Sequence, residues 1–313
     1  MIFDAHGDIL TDMYEQAKKG VTNSFKKRHL DNYKLGNVTH SIFVNWTTPK
    51  GDNPELFTDI FEYGIKEINE NSDIFRICYN TSDMKQSLEE EKIGVILGIE
   101  GIKNMKDVNH LHDLYKKGIR HATLTWNESN KFANGLDNES DGLTPLGFDV
   151  IKTMNELGMI VDLAHTNEHT FNDIITTSTT PVIISHGNAK ALCGHRRNYT
   201  DDQLFKLKEN NGVIGICAIM PFVGDDLKDQ TVEYMAQHIK YVRDLIGIDH
   251  VGVGFDLCYY LNNDVDDNKM PGFKTMADAG NLFIELEKLG FTDSEIEQVK
   301  FKNFERIVKT ILG

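Results

Sequence analysis

Short apolar runs recur along the chain, and between most of them the apolar positions return every three or four residues. The runs at 1–5, 40–46, 93–99, 119–125, 159–164, 181–185, 212–219 and 250–255 read as strands. The stretch 55–71 carries Phe57, Ile60, Phe61, Ile65 and Ile68 at helical spacing. Further helices are predicted over 111–117, 147–157, 167–176, 200–210, 231–246, 277–289 and 292–311. Gly158 gives a stop signal, and Thr200-Asp201-Asp202-Gln203 resembles a capping box. Residues 17–34 read as a polar segment, and 127–147 as a long polar, glycine-containing loop. Eight strands alternating with helices predict a parallel sheet closed as a (β/α)8 TIM barrel, in a single domain over residues 1–313. An open doubly wound sheet is the alternative. It is weakened because no glycine-rich phosphate loop follows the first strand.

Composition narrows the partners more than the chemistry. The 313 residues carry a net charge of -15, which disfavours nucleic acid or an anionic membrane as partner. No basic and apolar leader pattern opens the chain, since Asp4, Asp8 and Asp12 interrupt it. No apolar run reaches the roughly 18 residues needed to span a bilayer. Cys78, Cys193, Cys217 and Cys258 are scattered without CxxC spacing, which predicts free thiols in a reducing, cytoplasmic setting.

The candidate chemistry stands at the strand ends. Strand one runs into His6 and Asp8, the strand at 93–99 into Glu100, and the strand at 159–164 into His165. The strand at 181–185 runs into His186, and the last strand into Asp256. Alternation along a strand predicts that His6 and Asp8 share a face, with Gly7 leaving room between them. One such triplet is an ordinary chance occurrence. Six imidazoles and carboxylates at the C-terminal face of one barrel would repel and desolvate one another unless divalent metals sat among them. Two-metal sites activate water for hydrolysis. The other histidines, including His121 and His195, are predicted to be mostly structural or solvated.

Several segments carry a resemblance: Asp4-Ala5-His6-Gly7-Asp8, Gly98-Ile99-Glu100-Gly101, Val161-Asp162-Leu163-Ala164-His165, Ser185-His186, Arg196-Arg197-Asn198, Gly254-Phe255-Asp256 and Lys302-Asn303-Phe304-Glu305-Arg306. The chain resembles the membrane (renal) dipeptidase family, peptidase family M19, within the amidohydrolase superfamily of metal-dependent hydrolase barrels. The resemblance implies a zinc dipeptidase acting on small L-L or L-D dipeptides. It implies two Zn2+ ions per chain, one on His6 and Asp8, the other on His165 and His186, with Glu100 bridging. Mn2+ or Co2+ would also suit the donor set. Asp256 would be the general base on a metal-bridging hydroxide, and Arg197 would grip the substrate carboxylate. Relatives are often dimers, so a homodimer is an expectation.

The chain departs from the family where Leu257 follows Asp256 in place of a common glycine, and at one point that matters more. Trp126 stands where well-known members place a histidine near the oxyanion, and indole can donate a hydrogen bond but not carry a proton. Trp126 and Asn127 are therefore candidate substrate-binding residues. An alternative activity is hydrolysis of a non-dipeptide amide, lactam or lactone on the same metals. A further alternative is a barrel that has lost catalysis and binds a ligand.

Overall fold

Runs such as Ile93-Gly94-Val95-Ile96-Leu97-Gly98-Ile99 are apolar at successive positions because both faces of the strand are covered. In the computed structural model, which describes residues 1–48, 52–258, 260 and 270–313, these runs form one parallel sheet. Its strands are β1 (Ile2–Gly7), β2 (Val38–Trp46), β3 (Phe75–Ile77), β4 (Ile93–Glu100), β5 (Ile119–Thr123), β6 (Ile160–Asp162), β7 (Ile183–Gly187), β8 (Val213–Ile216) and β9 (Val251–Val253). The order β2-β1-β9-β8-β7-β6-β5-β4 closes through pairing of β2 with β4, giving the eight-stranded barrel that the alternation predicts.

The ninth strand, β3, was absent from the predicted set. It has three residues and pairs with Ile93–Val95, at the start of β4. β2 also pairs with this part of β4, so β3 takes the other edge, which β5 takes over from Leu97 onward. Three residues with an Arg in the middle are too few to show alternation.

The segment at 17–34, read as polar, lies among the helices Ile9–Lys18, Ser24–Arg28 and Leu30–Leu35. Ile9, Leu10 and Met13 bury one face of the first of these. A helix at Thr81–Glu89, capped by Asn80, was also missed. The capping box at Thr200 and the left-handed stop at Gly158 form as expected.

Alternation along the strands separates two apolar layers. Phe3, Ala5, Ile42, Val44, Ile96, Ile160 and Ile183 pack in one cluster with Phe301 and Phe304. Ile2, Phe43, Val95 and Leu97 point into the other, with the surrounding helices. The last helical stretch, expected as unbroken over 292–311, contains a π-helical turn at Gln298–Lys302. Beside that turn Phe304 stacks on Phe3 at 5.5 Å, and Asn303 Nδ2 donates to the Ile248 and Val251 carbonyls, both at 2.7 Å. The Lys302–Arg306 segment therefore closes the barrel at the end away from the predicted site. Among the described residues, no helix is long and apolar enough to cross a membrane.

Candidate active site

The C-terminal ends of the strands bring the six predicted groups together. Glu100 Oε1 lies 2.8 Å from His165 Nε2, 3.5 Å from His6 Nε2 and 3.6 Å from His186 Nε2. The His165 and His186 Nε2 atoms are 2.9 Å apart. Asp8 Oδ2 and Asp256 Oδ1 stand 3.9 and 3.7 Å from His6 Nε2, and Asp256 Oδ2 is 3.9 Å from His186 Nε2. Two groups, His6 with Glu100 and His186, and His6 with Asp8 and Asp256, have one ligand atom per residue within 4.8 Å of one another.

Local irregularity, not simple alternation, aims these side chains. Register shifts interrupt β1 between Asp4 and Gly7 and β7 between Ile184 and Gly187, bracketing His6 and His186. Such bulges re-aim side chains next to active sites. Asp8 lies beyond β1, at the N-cap position of the helix Ile9–Lys18, yet its side chain makes no capping hydrogen bond. Gly7 has no steric duty between the ligands, because a Cβ there would make only ordinary contacts with Ile9, Tyr33 and Ser41 at 3.5 to 3.8 Å. His165 and Asp256 adopt left-handed backbone conformations, at φ 66° and 53°. Non-glycine residues held there tend to mark functional sites.

Two further buried carboxylates hold the strand ends in place. Asp4 Oδ1 accepts from the Phe255 N–H at 2.8 Å, fixing the residue before Asp256. Asp162 Oδ1 accepts from the Ala164 and Ser185 N–H groups, both at 2.9 Å, fixing the residues before His165 and His186. Asp162 Oδ2 pairs with His121 Nε2 at 2.9 Å. Burial pushes the Asp4 carboxyl up to about 8. Burial also disfavours ionised Asp162, but bonds from His121 and Ser185 outweigh it and hold that carboxyl low. The sequence did carry a signal for both, since each precedes a site histidine by two or three residues. His121 is structural, as expected of the other histidines.

The site is built for positive charge that its own atoms do not supply. Burial raises the Asp8 and Glu100 carboxyls, with neighbouring carboxylates adding to the effect. Burial likewise lowers the His165 and His186 imidazoles, and pushes His6 down to about 3. Asp256 is raised by burial to about 6. His6 Nε2 and Asp8 Oδ1 are buried without a hydrogen-bond partner among the described residues. Asn127 Oδ1 meets His165 Nδ1 at 2.9 Å, and as an acceptor it places the ring proton on Nδ1. His165 Nε2 then presents a lone pair to the Glu100 carboxylate at 2.8 Å, an arrangement that a cation between them stabilises. Orphaned ligand atoms, shared carboxylate and oriented imidazoles all fit divalent metal ions. Asn127→Ala should weaken metal retention by roughly 10–100-fold, read by competition with a chromogenic chelator.

The site opens into a cavity of about 540 Å³. Arg197 lies on its wall, 5% exposed, with the guanidinium 5.6 Å from the Phe222 ring and one terminal NH2 lacking a partner among the described residues. The adjoining motif residues have other work. Arg196 pairs with Asp137 at the surface, and Asn198 Nδ2 donates to the Cys193 and Phe222 carbonyls. Trp126 also lines the cavity, its ring 5.7 Å from that of His165. Trp46, His195 and Phe222 on the wall were not singled out from sequence. The thiols are free, as expected, but Cys258 and Cys217 flank the Asp256 carboxylate, with Sγ–O distances of 3.2 and 3.9 Å.

Known proteins resemble this chain in sequence and in fold. The chain is 28% identical to dipeptidase tcpJ of Claviceps purpurea over 323 residues, covering 98% of this chain and 74% of that one. It is 31% identical to dipeptidase verJ of Clonostachys rogersoniana over 247 residues, covering 77% and 61%. A metallopeptidase from Rhodobacter sphaeroides, liganded with a phosphinate mimic of the dipeptide L-Ala-D-Ala, shares the fold. Its TM-score is 0.88 at 20% identity, with 99% of both chains covered. The family model for membrane dipeptidase (peptidase family M19) matches residues 1–312, and the chain belongs to that family.

Proposed function

We propose that the protein is a metal-dependent dipeptidase that hydrolyses small dipeptides, L-L and L-D, at a binuclear zinc centre. The observation that carries the reading is the convergence of the His6, His165 and His186 Nε2 atoms on one carboxylate oxygen of Glu100, within 2.8 to 3.6 Å. His6 and Asp8 would hold one ion, His165 and His186 the other, and Glu100 both; manganese or cobalt would also suit the donors. Bound metal supplies a polarised carbonyl and an acidified water.

The chain's own groups supply the rest. Asp256 lies between His6 and His186, raised by burial to about 6, where it would be in reach of a water proton and of the leaving nitrogen. It takes the proton as water adds to the carbonyl carbon, and returns it to the amine as the C–N bond breaks. Arg197 pairs its unpartnered NH2 with the terminal carboxylate of the substrate. The ligand of the Rhodobacter relative, a mimic of L-Ala-D-Ala, supports a dipeptide substrate and a D residue at its C-terminal position.

A second reading, cleavage of a lactone, lactam or non-peptide amide, is favoured by Trp126. Its indole stands beside His165 and cannot carry a proton. The test is a panel of L-L and L-D dipeptides, N-acyl amino acids, lactams and lactones, with and without added zinc. Zinc-dependent cleavage of dipeptides is expected. Turnover of a lactone, lactam or N-acyl substrate with every dipeptide inert overturns the first reading and selects the second.

A further inference from the structure

We propose that Trp46 and Trp126 form an aromatic subsite that makes the protein prefer dipeptides bearing one large, flat apolar side chain over dipeptides of two small residues. This rests on the dipeptidase reading and names the substrate class within it.

The chain has two tryptophans, and both line the cavity above the metal-ligand cluster. They lie 80 positions apart in sequence and meet through the barrel register. Trp46 ends β2 and is paired with Glu100 of β4, and Glu100 is paired in turn with Thr123, three residues before Trp126. The two indoles pack edge to face, with centroids 5.8 Å apart at 65°. Trp126 in turn leans over His165 at 5.7 Å and 32°. An aromatic surface therefore runs continuously from a metal-ligand imidazole outward, and Leu56 and Ile60 extend the cavity wall as apolar surface.

This wall is fixed in place. The Trp46 N–H donates to Thr11 Oγ1 at 2.9 Å, and the same hydroxyl donates back to the Trp46 carbonyl at 3.0 Å. Both bonds are to the Trp46 backbone, and Thr11 belongs to the helix that begins beside Asp8, so the main chain that carries the indole is tied to the helix next to the metal-ligand cluster. Rigid aromatic surface of this kind binds flat apolar groups with little ordering cost. The Trp46 Nε1–H is buried without an acceptor among the described residues. The cavity, at about 540 Å³, falls within the roughly 300–1,000 Å³ that encloses drug-sized ligands and exceeds what two small residues fill. Arg197, one of whose terminal NH2 groups lacks a partner among the described residues, lines the same cavity beside Phe222 and would take the substrate carboxylate.

The test compares kcat/KM of the zinc-loaded full chain on Ala-Ala, Phe-Ala and Ala-Phe. At least one phenylalanine peptide should exceed Ala-Ala by about tenfold or more. Trp46→Ala should pull that ratio toward unity, while Trp46→Phe keeps most of it. Equal kcat/KM for the three peptides overturns the proposal, and so does a Trp46→Ala variant that lowers all three in parallel, as lost stability would. Binding is read separately through tryptophan emission, because both indoles sit in this wall. N-acetylphenylalanine should perturb the emission at lower concentration than N-acetylalanine, and identical titrations overturn the subsite. If no dipeptide is cleaved, the dipeptidase reading fails, and the emission titration still decides the subsite.

Discussion

Asp256→Asn should lower kcat on the preferred dipeptide by about 1,000-fold while the protein keeps its metal and its fold. General-base groups contribute roughly 10²–10⁴-fold, and a carboxamide of the same shape cannot take the proton. The substitution suits the position. Asp256 sits at φ 53°, and asparagine tolerates the left-handed region better than most residues. The neighbours that orient the side chain are thiols, Cys258 and Cys217, which can equally face an amide. Metal content by inductively coupled plasma mass spectrometry separates two roles for the residue. Asp256 also groups with His6 and Asp8 within 4.8 Å, close enough to act as a ligand itself. Retained metal with lost turnover supports the base. Lost metal assigns Asp256 to the ligand set, and undiminished turnover removes it from the mechanism.

Glu100→Gln should remove activity to background and cut the metal content from about two ions per chain to one or fewer. Glu100 Oε1 is the atom that His6, His165 and His186 all face, at 3.5, 2.8 and 3.6 Å. A carboxamide keeps the size but removes the charge that would offset the proposed pair of divalent ions in a buried site. The same change should appear in stability. A ligand present at 100 times its Kd adds about 2.7 kcal/mol to the folded state. Added zinc should therefore raise the melting temperature of the metal-stripped parent protein clearly, and that of the variant much less. Equal metal content and an equal zinc-induced shift in the two proteins would remove Glu100 from the bridging role.

The barrel was legible because buried parallel strands read as unbroken apolar runs, and because each ligand type stood directly after one of them. His6, Glu100, His165, His186 and Asp256 could be aligned from that position alone. The burial of Arg197 on the cavity wall could not be read that way. Nothing local distinguishes it from Arg196, and only the family resemblance named it before the cavity showed which guanidinium is buried. β3 escaped because three residues carry no periodicity. Asp4 and Asp162 were visible as residue types but not as supports, since their partners are backbone amides up to 251 positions away. Trp46 was hidden for a similar reason. Its nearness to Trp126 depends on the register of β2, β4 and β5, which pattern alone does not give.

The hydrogen bonds that Asp4 and Asp162 accept have a consequence for how this protein can change over time. They tie the positions beside Asp256, His165 and His186 to the strands of the barrel, whereas Trp126, Arg197 and Phe222 stand beyond the strand ends. Substitutions or insertions in those connecting segments can reshape what enters the cavity while the ligand cluster keeps its spacing. Drift in substrate range should therefore concentrate at the connecting segments, and loss of metal should follow from changes as inconspicuous as Asp162→Asn, in a residue that lies outside the ligand set.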